Sequence, residues 1–406
     1  MNTVAVIGGG PAGAMAAEQL ARGGASVYLF EERPGWEKPC GGGLTAKALR
    51  RYPFLLDSTV GAKRISEAEL IAATGESVRF QLRRAVAVCS RKALNQQLVE
   101  RAAQAGAEVI ADRIVNLHRI NSEWGLAGRE RCYRAGYVIL AAGARSRLRA
   151  QLAANLAAKD FMLTSGYYVS GDEELLRVRF LENFEGYLWA FPRADHLSVG
   201  ICAKAGEGKM AELQAYLHEF MDRHGYSRRG ARKYAHLLPG LTASSWSELR
   251  LAGDGWALAG DASGLVDPLT GEGIYFAMRS GELLGECWSA GDVAAYPQRV
   301  WEEFGSQLAH GVRLTGLYYR SNIFGRALST RMIQLCHRGA MIRELLQDLF
   351  EGAQPYSQLL SRLYLDLGAT LVEIGAQSLT GILRGLGDSE EQGTDGGGHI
   401  GTYASQ

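Results

Sequence analysis

The sequence lacks the patterns that mark a secreted, zinc-binding or membrane-spanning protein. Its six cysteines are scattered, with no C-x-x-C pair and no cluster of cysteine with histidine, which argues against a disulfide framework and against a metal site. No stretch approaches the roughly 20 uninterrupted apolar residues of a transmembrane helix, and no basic segment with a cleavage site opens the chain. We expect a cytoplasmic protein, and association with a membrane surface stays open.

An excess of either charge is also missing. Lysine and arginine number 44, aspartate and glutamate 43, and the formal net charge is +1, so nucleic acid is not expected as the main partner. Glycine is what the sequence has in excess, with 51 among 406 residues, above the usual share of roughly 7%. The glycines are concentrated in a few clusters, which favours backbone that approaches a ligand closely.

Residues 1–31 have the pattern of a βαβ unit. Residues 3–7 are apolar and β-branched, residues 14–23 are rich in alanine and leucine, and residues 26–30 form a second short apolar run. Because the loops between them are short, the unit predicts the opening of a doubly wound parallel sheet.

A glycine-rich turn, Gly8-x-Gly10-x-x-Gly13, lies between the first strand and the helix, the context that a dinucleotide-binding fingerprint requires. Gly8 allows the tight turn, Gly10 lets backbone reach the pyrophosphate, and Gly13 lets the helix pack closely on the strand. Glu31 ends the second strand, where a carboxylate binds ribose hydroxyls and repels a 2′-phosphate, so FAD or NAD fits better than NADP. The predicted cofactor contacts of this unit are Gly8, Gly10, Pro11, Ala12, Gly13, Glu31 and Glu32.

Residues 253–274 decide between these cofactors. The segment ending in Gly260-Asp261-Ala262 resembles the second flavin motif of the glutathione-reductase-like FAD fold, which implies that Asp261 meets the ribityl chain or the pyrophosphate. The turn with Gly271, Gly273 and Ile274 then opens a helix whose N–H groups can stabilise negative charge on the pyrimidine side of reduced flavin. We therefore predict non-covalent FAD, and Asp261 as a simple helix cap is the alternative.

Arg91 begins a predicted amphipathic helix over residues 91–104, with Leu94, Leu98 and Ala102 on one face. In flavin hydroxylase-like folds an arginine at this place contacts the cofactor, so the resemblance implies the same role for Arg91. A solvated arginine at a helix end is the alternative.

Two further segments resemble the geranylgeranyl reductase family. Residues 38–44 match that family's proline–cysteine–glycine–glycine loop, and residues 187–193 match its Y-x-W-x-F-P motif. The resemblance implies an FAD-dependent reductase that saturates C=C double bonds of an isoprenoid of geranylgeranyl type. It places Cys40, Gly41 and Gly42 beside the flavin, and makes Cys40, Tyr187 and Trp189 the candidate catalytic residues.

The motif Tyr187-x-Trp189-x-Phe191 alternates along an extended segment, so its rings project to one side. Spacing alone would favour the core of a sheet, whereas the family match favours a wall for a long apolar substrate. An unactivated alkene accepts hydride poorly, so protonation of the alkene should precede hydride transfer. Cys40, or a water that it holds, is the candidate proton donor, and a small buried hydrophobe is the alternative for Cys40.

The predicted fold is α/β, with a glutathione-reductase-like FAD-binding Rossmann domain, a mixed β-sheet substrate domain and a C-terminal helical region. We assign residues 1–60, 86–155 and 250–296 to the first domain and residues 61–85 and 156–249 to the second. Residues 297–386 are predicted to be helical, with Leu359, Leu363 and Leu367 at helical spacing, and residues 387–406 to be a disordered tail.

Other functions stay open. An FAD-dependent monooxygenase would share the fold and cofactor, although the G-W-x-W-x-I-P segment of halogenases is missing, and a redox sensor would have no apolar tunnel. A second G-x-G-x-x-G motif between a strand and a helix is also missing, so electrons are expected from docked NAD(P)H or from a ferredoxin-like protein. Arg193 could meet a substrate diphosphate or could equally be solvated. The helices after about residue 297 either cap the tunnel or touch a membrane.

Overall fold

The computed structural model describes residues 3–57, 59–181, 184–320, 326–336, 340–352, 355–358 and 361–362. Within these ranges the chain forms the predicted α/β architecture, with three sheets. The strands are β1 Val4–Ile7, β2 Val27–Phe30, β3 Gly43–Leu44, β4 Lys63–Ile71, β5 Ser77–Val88, β6 Glu108–Ile110, β7 Ile114–Ile120, β8 Glu123–Gly128, β9 Cys132–Ala135, β10 Tyr137–Leu140, β11 Phe161–Val169, β12 Leu175–Phe180, β13 Gly186–Pro192, β14 Leu197–Lys204, β15 Arg232–Pro239, β16 Ala252–Gly253 and β17 Trp256–Leu258. The helices are α1 Pro11–Arg22, α2 Ala46–Arg51, α3 Arg91–Gln104, α4 Met210–Arg223, α5 Ala243–Ser247, α6 Ile274–Ser289, α7 Tyr296–Val300, α8 Ser306–Arg320, α9 Leu328–Cys336 and α10 Ala340–Phe350.

The first sheet has the strand order β16-β17-β10-β1-β2-β6, and all its neighbours are parallel except β16 and β17. β1 is fully buried because both of its faces are covered. Val4 and Val6 pack in the same core as α1, α3 and α6, whereas Ala5 and Ile7 pack in the core that β7–β9 closes on the other side. The loops at the carboxyl ends of β1, β2, β10 and β17 therefore meet at one edge, where such sheets bind ligands.

Helices α1 and α6 bring the two flavin-like motifs together. A Cβ on Gly281 would lie 2.1 Å from the Ala12 carbonyl oxygen, and one on Gly285 would lie 2.2 Å from the Gln19 Cβ. The backbones can approach this closely only because both positions are glycine. The N-terminus of α1 and the N-terminal turn of α6 are thereby held beside the same edge of the sheet.

The second sheet has the order β15-β11-β14-β13-β12-β4-β5-β3 and is mixed, because β12 and β4 are parallel while its other neighbours are antiparallel. Strand β13 divides its side chains between the two faces. Leu188 and Ala190 pack in the core formed with α4, and Tyr187, Trp189 and Phe191 lie on the opposite face. The one-sided projection predicted for the three rings is confirmed.

The chain after residue 297 is mostly helical where it is described, as predicted. Helices α7 and α8 are joined by one π-helical turn, Trp301–Gly305, and α9 and α10 pack against the second sheet through Met332, Ile333, Leu345 and Leu346. The predicted tail 387–406, and Leu359, Leu363 and Leu367, lie outside the described residues. In the described part of the chain, no helix has both the length and the apolar content needed to cross a membrane.

Candidate active site

A cavity of about 1090 Å³ connects the edge of the first sheet to the face of the second sheet that carries Tyr187, Trp189 and Phe191. This volume exceeds the roughly 300–1,000 Å³ of a pocket for one small ligand, so it has room for a dinucleotide and a second molecule. Its polar end is lined by residues 8–12, Glu31, Lys38, Arg91, residues 141–147 and Asp261. Its apolar end is lined by Leu70, Val86, Leu176, Val178, Phe180, Tyr318, Leu346, Leu349 and Phe350.

The first glycine motif forms a cradle at the polar end. Gly8 has φ +105°, and a Cβ there would lie 2.6 Å from the Ala141 carbonyl oxygen; one on Gly13 would lie 1.9 Å from the Gly8 carbonyl oxygen. Gly10, by contrast, faces open space. Helix α1 starts with Pro11 at its first turn and has no side-chain cap, so its N-terminal N–H groups face the cavity. This arrangement fits a pyrophosphate.

The predicted ribose-binding carboxylate stands at the wall of this cradle. Glu31 accepts hydrogen bonds from the backbone N–H groups of Gly9 and Arg33, at 2.8 Å each. Glu32 lies further out, where it forms ion pairs with Arg113 and Arg129. The two neighbouring carboxylates therefore differ in their partners: Glu31 accepts backbone hydrogen bonds, whereas Glu32 pairs with arginines at the rim of the cavity.

Asp261 is joined to a residue to which the sequence gave no role by itself. Lys38 Nζ lies 2.5 Å from Asp261 Oδ2. Burial raises the pKa of Asp261, but Lys38 and other cations outweigh it and hold that pKa below its usual value. His236 lines the same wall, and burial with the nearby Lys38 charge lowers its pKa to about 4. The site therefore holds an ionised Asp261 beside a neutral His236, and the sequence carried no local signal for Lys38 or His236.

Arg91 is buried, with 3% of its surface exposed, so the alternative of a solvated arginine is wrong. Its Nη2 lies 3.4 Å from Asn95 Oδ1, whereas its buried Nε has no hydrogen-bond partner among the described residues. A buried guanidinium with an unused donor at the cavity wall suits an anionic or carbonyl-bearing ligand. Arg91 therefore fits the cofactor role that the resemblance implies.

The loop around Cys40 is held in one conformation. Gly42 has φ +86°, and a Cβ there would lie 2.2 Å from the Cys89 carbonyl oxygen. The Gly42 N–H donates to Cys40 Sγ at 3.3 Å, and the Cys89 N–H donates to the Gly42 carbonyl at 2.9 Å. Cys40 is half-buried and lines the cavity with Gly41 and Gly42. The predicted cofactor contacts of this loop thus share one wall.

Arg193 clamps that loop from behind. The expectation of a solvated Arg193 is wrong, because only 1% of its surface is exposed, and contact of Arg193 with a substrate diphosphate stays a prediction. It pairs with Glu37 at 2.7 Å and donates to the Cys40 carbonyl oxygen at 2.7 Å. Ser198 donates to the same carbonyl at 3.1 Å, and Glu37 also accepts two backbone N–H groups at the start of α3. Arg193 is therefore a structural partner of the Cys40 loop.

Tyr187, Trp189 and Phe191 form an aromatic wall opposite this loop. Neighbouring ring centroids lie 6.1 and 6.4 Å apart, and a Cβ on Gly41 would lie 2.6 Å from the Phe191 ring. Tyr187 Oη donates to the Thr270 carbonyl at 2.6 Å, and Trp189 Nε1 donates to a serine hydroxyl at 3.3 Å. The polar atoms thus have protein partners, and the rings line the cavity.

The turn before α6 closes the site. Helix α6 begins at Ile274, and its N-cap, Gly273, supplies no side-chain cap, so the terminus can donate to a ligand. Gly271 has φ +70°, and a Cβ there would lie 2.5 Å from Tyr187 Oη. Between the glycines, Glu272 also lines the cavity and accepts a hydrogen bond from Thr45 Oγ1 at 2.6 Å. The sequence had suggested no role for Glu272.

Comparison with known proteins agrees with this geometry. The sequence model of the pyridine nucleotide-disulphide oxidoreductase family matches residues 2–167. The chain is 29% identical over 308 residues to geranylgeranyl diphosphate reductase from Nicotiana tabacum, and the match covers 70% of this chain and 65% of that protein. Against digeranylgeranylglycerophospholipid reductase 2 from Methanothermobacter thermautotrophicus, identity is 30% over 306 residues, covering 70% of this chain and 76% of that protein.

A solved structure extends the fold similarity to most of the chain. A geranylgeranyl bacteriochlorophyll reductase-like protein from Thermoplasma acidophilum superimposes with a TM-score of 0.73 at 22% identity, over 90% of this chain and 99% of that one. The fold, the dinucleotide cradle and the identity to the archaeal reductase agree, and the chain belongs to the geranylgeranyl reductase family of flavin-dependent oxidoreductases.

Proposed function

We propose that this protein is an FAD-dependent reductase that saturates C=C double bonds of an isoprenoid substrate of geranylgeranyl type. The observation that carries the proposal is one cavity in which a dinucleotide cradle continues into an apolar chamber walled by Tyr187, Trp189 and Phe191. The names of the two reductase relatives support the substrate class. Because the aligned region covers 65% of the tobacco enzyme, the activity is a proposal for this chain.

The residues at the polar end would hold FAD. The cradle from Gly8 to Gly13 and the N-terminus of α1 would bind its pyrophosphate, and Glu31 its adenosine ribose. Arg91 and Asp261 would contact the flavin half, and the N-terminus of α6 would face its pyrimidine side. When bound and reduced, the flavin supplies the hydride.

The apolar end would bind the substrate chain and exclude water. Each methylene buried there contributes about 0.8 kcal/mol, so affinity would grow with chain length. The rings of the aromatic wall would orient the chain over the Cys40 loop. Cys40 is held by the Gly42 N–H and, itself or through a bound water, is a candidate proton donor; Cys40→Ser with unchanged turnover and products would remove it from the reaction.

The C-terminal helices α8–α10 would either cap the chamber or meet a lipid surface.

Electrons would reach the flavin from docked NAD(P)H or from a ferredoxin-like protein. Stopped-flow reduction of the holoenzyme by NADH, NADPH or reduced ferredoxin identifies the donor. Reduction by a reduced ferredoxin alone would eliminate the nicotinamide route.

The deciding experiment is mass spectrometry after anaerobic incubation of the photoreduced holoenzyme with geranylgeranyl diphosphate. We expect products heavier by pairs of hydrogens. A hydroxylated product that forms only with oxygen would instead assign a monooxygenase, and flavin that stays reduced would rule out the reductase. Trp189→Leu should slow the reaction at least about tenfold through lost ring contacts, whereas Trp301→Leu, at an exposed position outside the cavity, should not.

A further inference from the structure

Glu272 is a carboxyl group of the cavity wall that the proposed mechanism does not use. Glu272 is half-buried between Gly271 and Gly273, next to the point where Tyr187 contacts the turn. Its Oε1 accepts the Thr45 hydroxyl at 2.6 Å. In the described part of the chain, no ion pair within 4 Å joins it to a basic side chain. Glu272 is therefore a half-buried acid whose charged form is stabilised mainly by the Thr45 hydrogen bond and by the charge of Lys47.

The groups around Glu272 come from three sides. From α2 comes Lys47, whose charge lowers the pKa of Glu272 and whose ammonium lies 4.0 Å from the ring centroid of Tyr275. From the preceding loop comes Asp267, and from residues 355–358 comes Tyr356, whose hydroxyl lies 2.6 Å from both Asp267 oxygens. Asp267 also accepts two backbone N–H groups. The Asp267 oxygens are thus occupied, whereas Glu272 lines the cavity and accepts the Thr45 hydroxyl.

We propose that Glu272, as a neutral carboxylic acid, delivers the proton in the alkene reduction; this rests on the proposed function. The O–H bond of Glu272 breaks as a C–H bond forms at one alkene carbon, and the other carbon accepts the hydride that reduced flavin supplies. The alkene gains two electrons, the flavin loses them, and the Glu272 carboxylate then takes up a proton from solvent.

The acid strength favours Glu272 over a thiol. Burial raises the pKa of Glu272 to about 6, while Lys47 and the Thr45 hydrogen bond limit the rise. An ordinary thiol has a pKa of about 8.5. The Glu272 acid is thus the stronger of the two, and it is still present in part at neutral pH, which is the condition for efficient general acid catalysis. Protonation of an unactivated alkene demands the stronger acid.

The test is the pH dependence of single-turnover flavin reoxidation by geranylgeranyl diphosphate. Wild-type protein should lose rate about tenfold per pH unit above about pH 6, because only protonated Glu272 reacts. Glu272→Gln should be about 100-fold slower and independent of pH, and Glu272→Asp should recover the pH dependence. Glu212→Gln, at an exposed position on α4, should match the wild type in rate and in pH profile.

A second readout needs no turnover. The infrared difference spectrum between wild-type and Glu272→Gln apoprotein should contain a protonated-carboxyl band that disappears around pH 6. A Glu272→Gln variant that keeps the wild-type rate and pH profile, or a profile that Cys40→Ser abolishes instead, would overturn the role of Glu272 while leaving the reductase intact. If the isoprenoid never reoxidises the reduced flavin of the wild-type protein, the proposed function is overturned, and the role of Glu272 with it.

Discussion

Replacing Glu272 with glutamine removes one ionisable group from the cavity wall and changes its size little. Burial raises the pKa of this carboxyl from 4.5 to about 6 in the folded chain. Each unit corresponds to 1.36 kcal/mol, so the charged form costs the folded state about 2 kcal/mol at high pH. Because the pKa is higher in the folded state than in the unfolded state, protonation of Glu272 stabilises the folded chain. This contribution to the free energy of unfolding is fully present below about pH 4.5 and is lost as pH rises through about 6.

The loss appears in wild-type protein and not in the glutamine variant. Linkage gives a loss of about 1 kcal/mol between pH 5 and pH 8, the rest falling below pH 5. The assay is urea unfolding of apoprotein at several pH values, compared between wild type and Glu272→Gln. The stability of the variant relative to wild type should rise with pH, whatever its sign at pH 5.

Two control variants isolate the cause. Glu212→Gln removes an exposed carboxyl and should change stability equally at all pH values. Lys47→Met removes the cation that lowers the pKa of Glu272, so it should move the pH-dependent loss to higher pH. A stability difference between Glu272→Gln and wild type that stays constant from pH 5 to pH 8 would refute the claim that burial raises this pKa.

Two further substitutions test the cofactor side of the cavity. Gly42→Ala should lower the free energy of unfolding in urea by more than about 2 kcal/mol. A positive φ costs an L-residue about 1–2 kcal/mol, and the added Cβ would lie 2.2 Å from the Cys89 carbonyl oxygen. Gly61→Ala, at φ +58° in open space, should cost only the conformational energy of the positive φ, and equal losses in the two variants would contradict the clash. Arg91→Met should raise the FAD dissociation constant about tenfold or more, since a charged hydrogen bond is worth about 1.5–3 kcal/mol, whereas Lys92→Met should not; flavin fluorescence quenching measures both, and unchanged FAD affinity in Arg91→Met would contradict its cofactor role.

The sequence was most informative where function depends on local backbone. The turn with Gly8 and Gly13 can be predicted because a strand, a tight turn and a helix occur within a few residues, and only glycine tolerates the contacts that the structure contains. Alternation along β13 likewise predicted that Tyr187, Trp189 and Phe191 face one side. Alternation could not say what lies opposite, and the facing Cys40 loop became visible only in the fold.

The partners of charged residues could not be predicted from the sequence. The sequence allowed Arg193 to meet a diphosphate or solvent, yet it is buried against Glu37, 156 positions away. Lys38 pairs with Asp261 across 223 positions, and Thr45 meets Glu272 across 227. None of these pairs leaves a periodic or spaced pattern, because a charged residue has the same sequence signature whether it is solvated or buried.

The sequence by itself therefore determined the βαβ unit, the dinucleotide cradle and the one-sided aromatic segment, since each depends on the geometry of neighbouring residues. Only the tertiary structure decided that Arg193 clamps the Cys40 loop, that Lys38 neutralises Asp261 and that Glu272 is an underpaired acid at the cavity wall. The physical reason is that acidity and pairing depend on burial and on charges brought together by distant segments, and neither exists until the chain has folded.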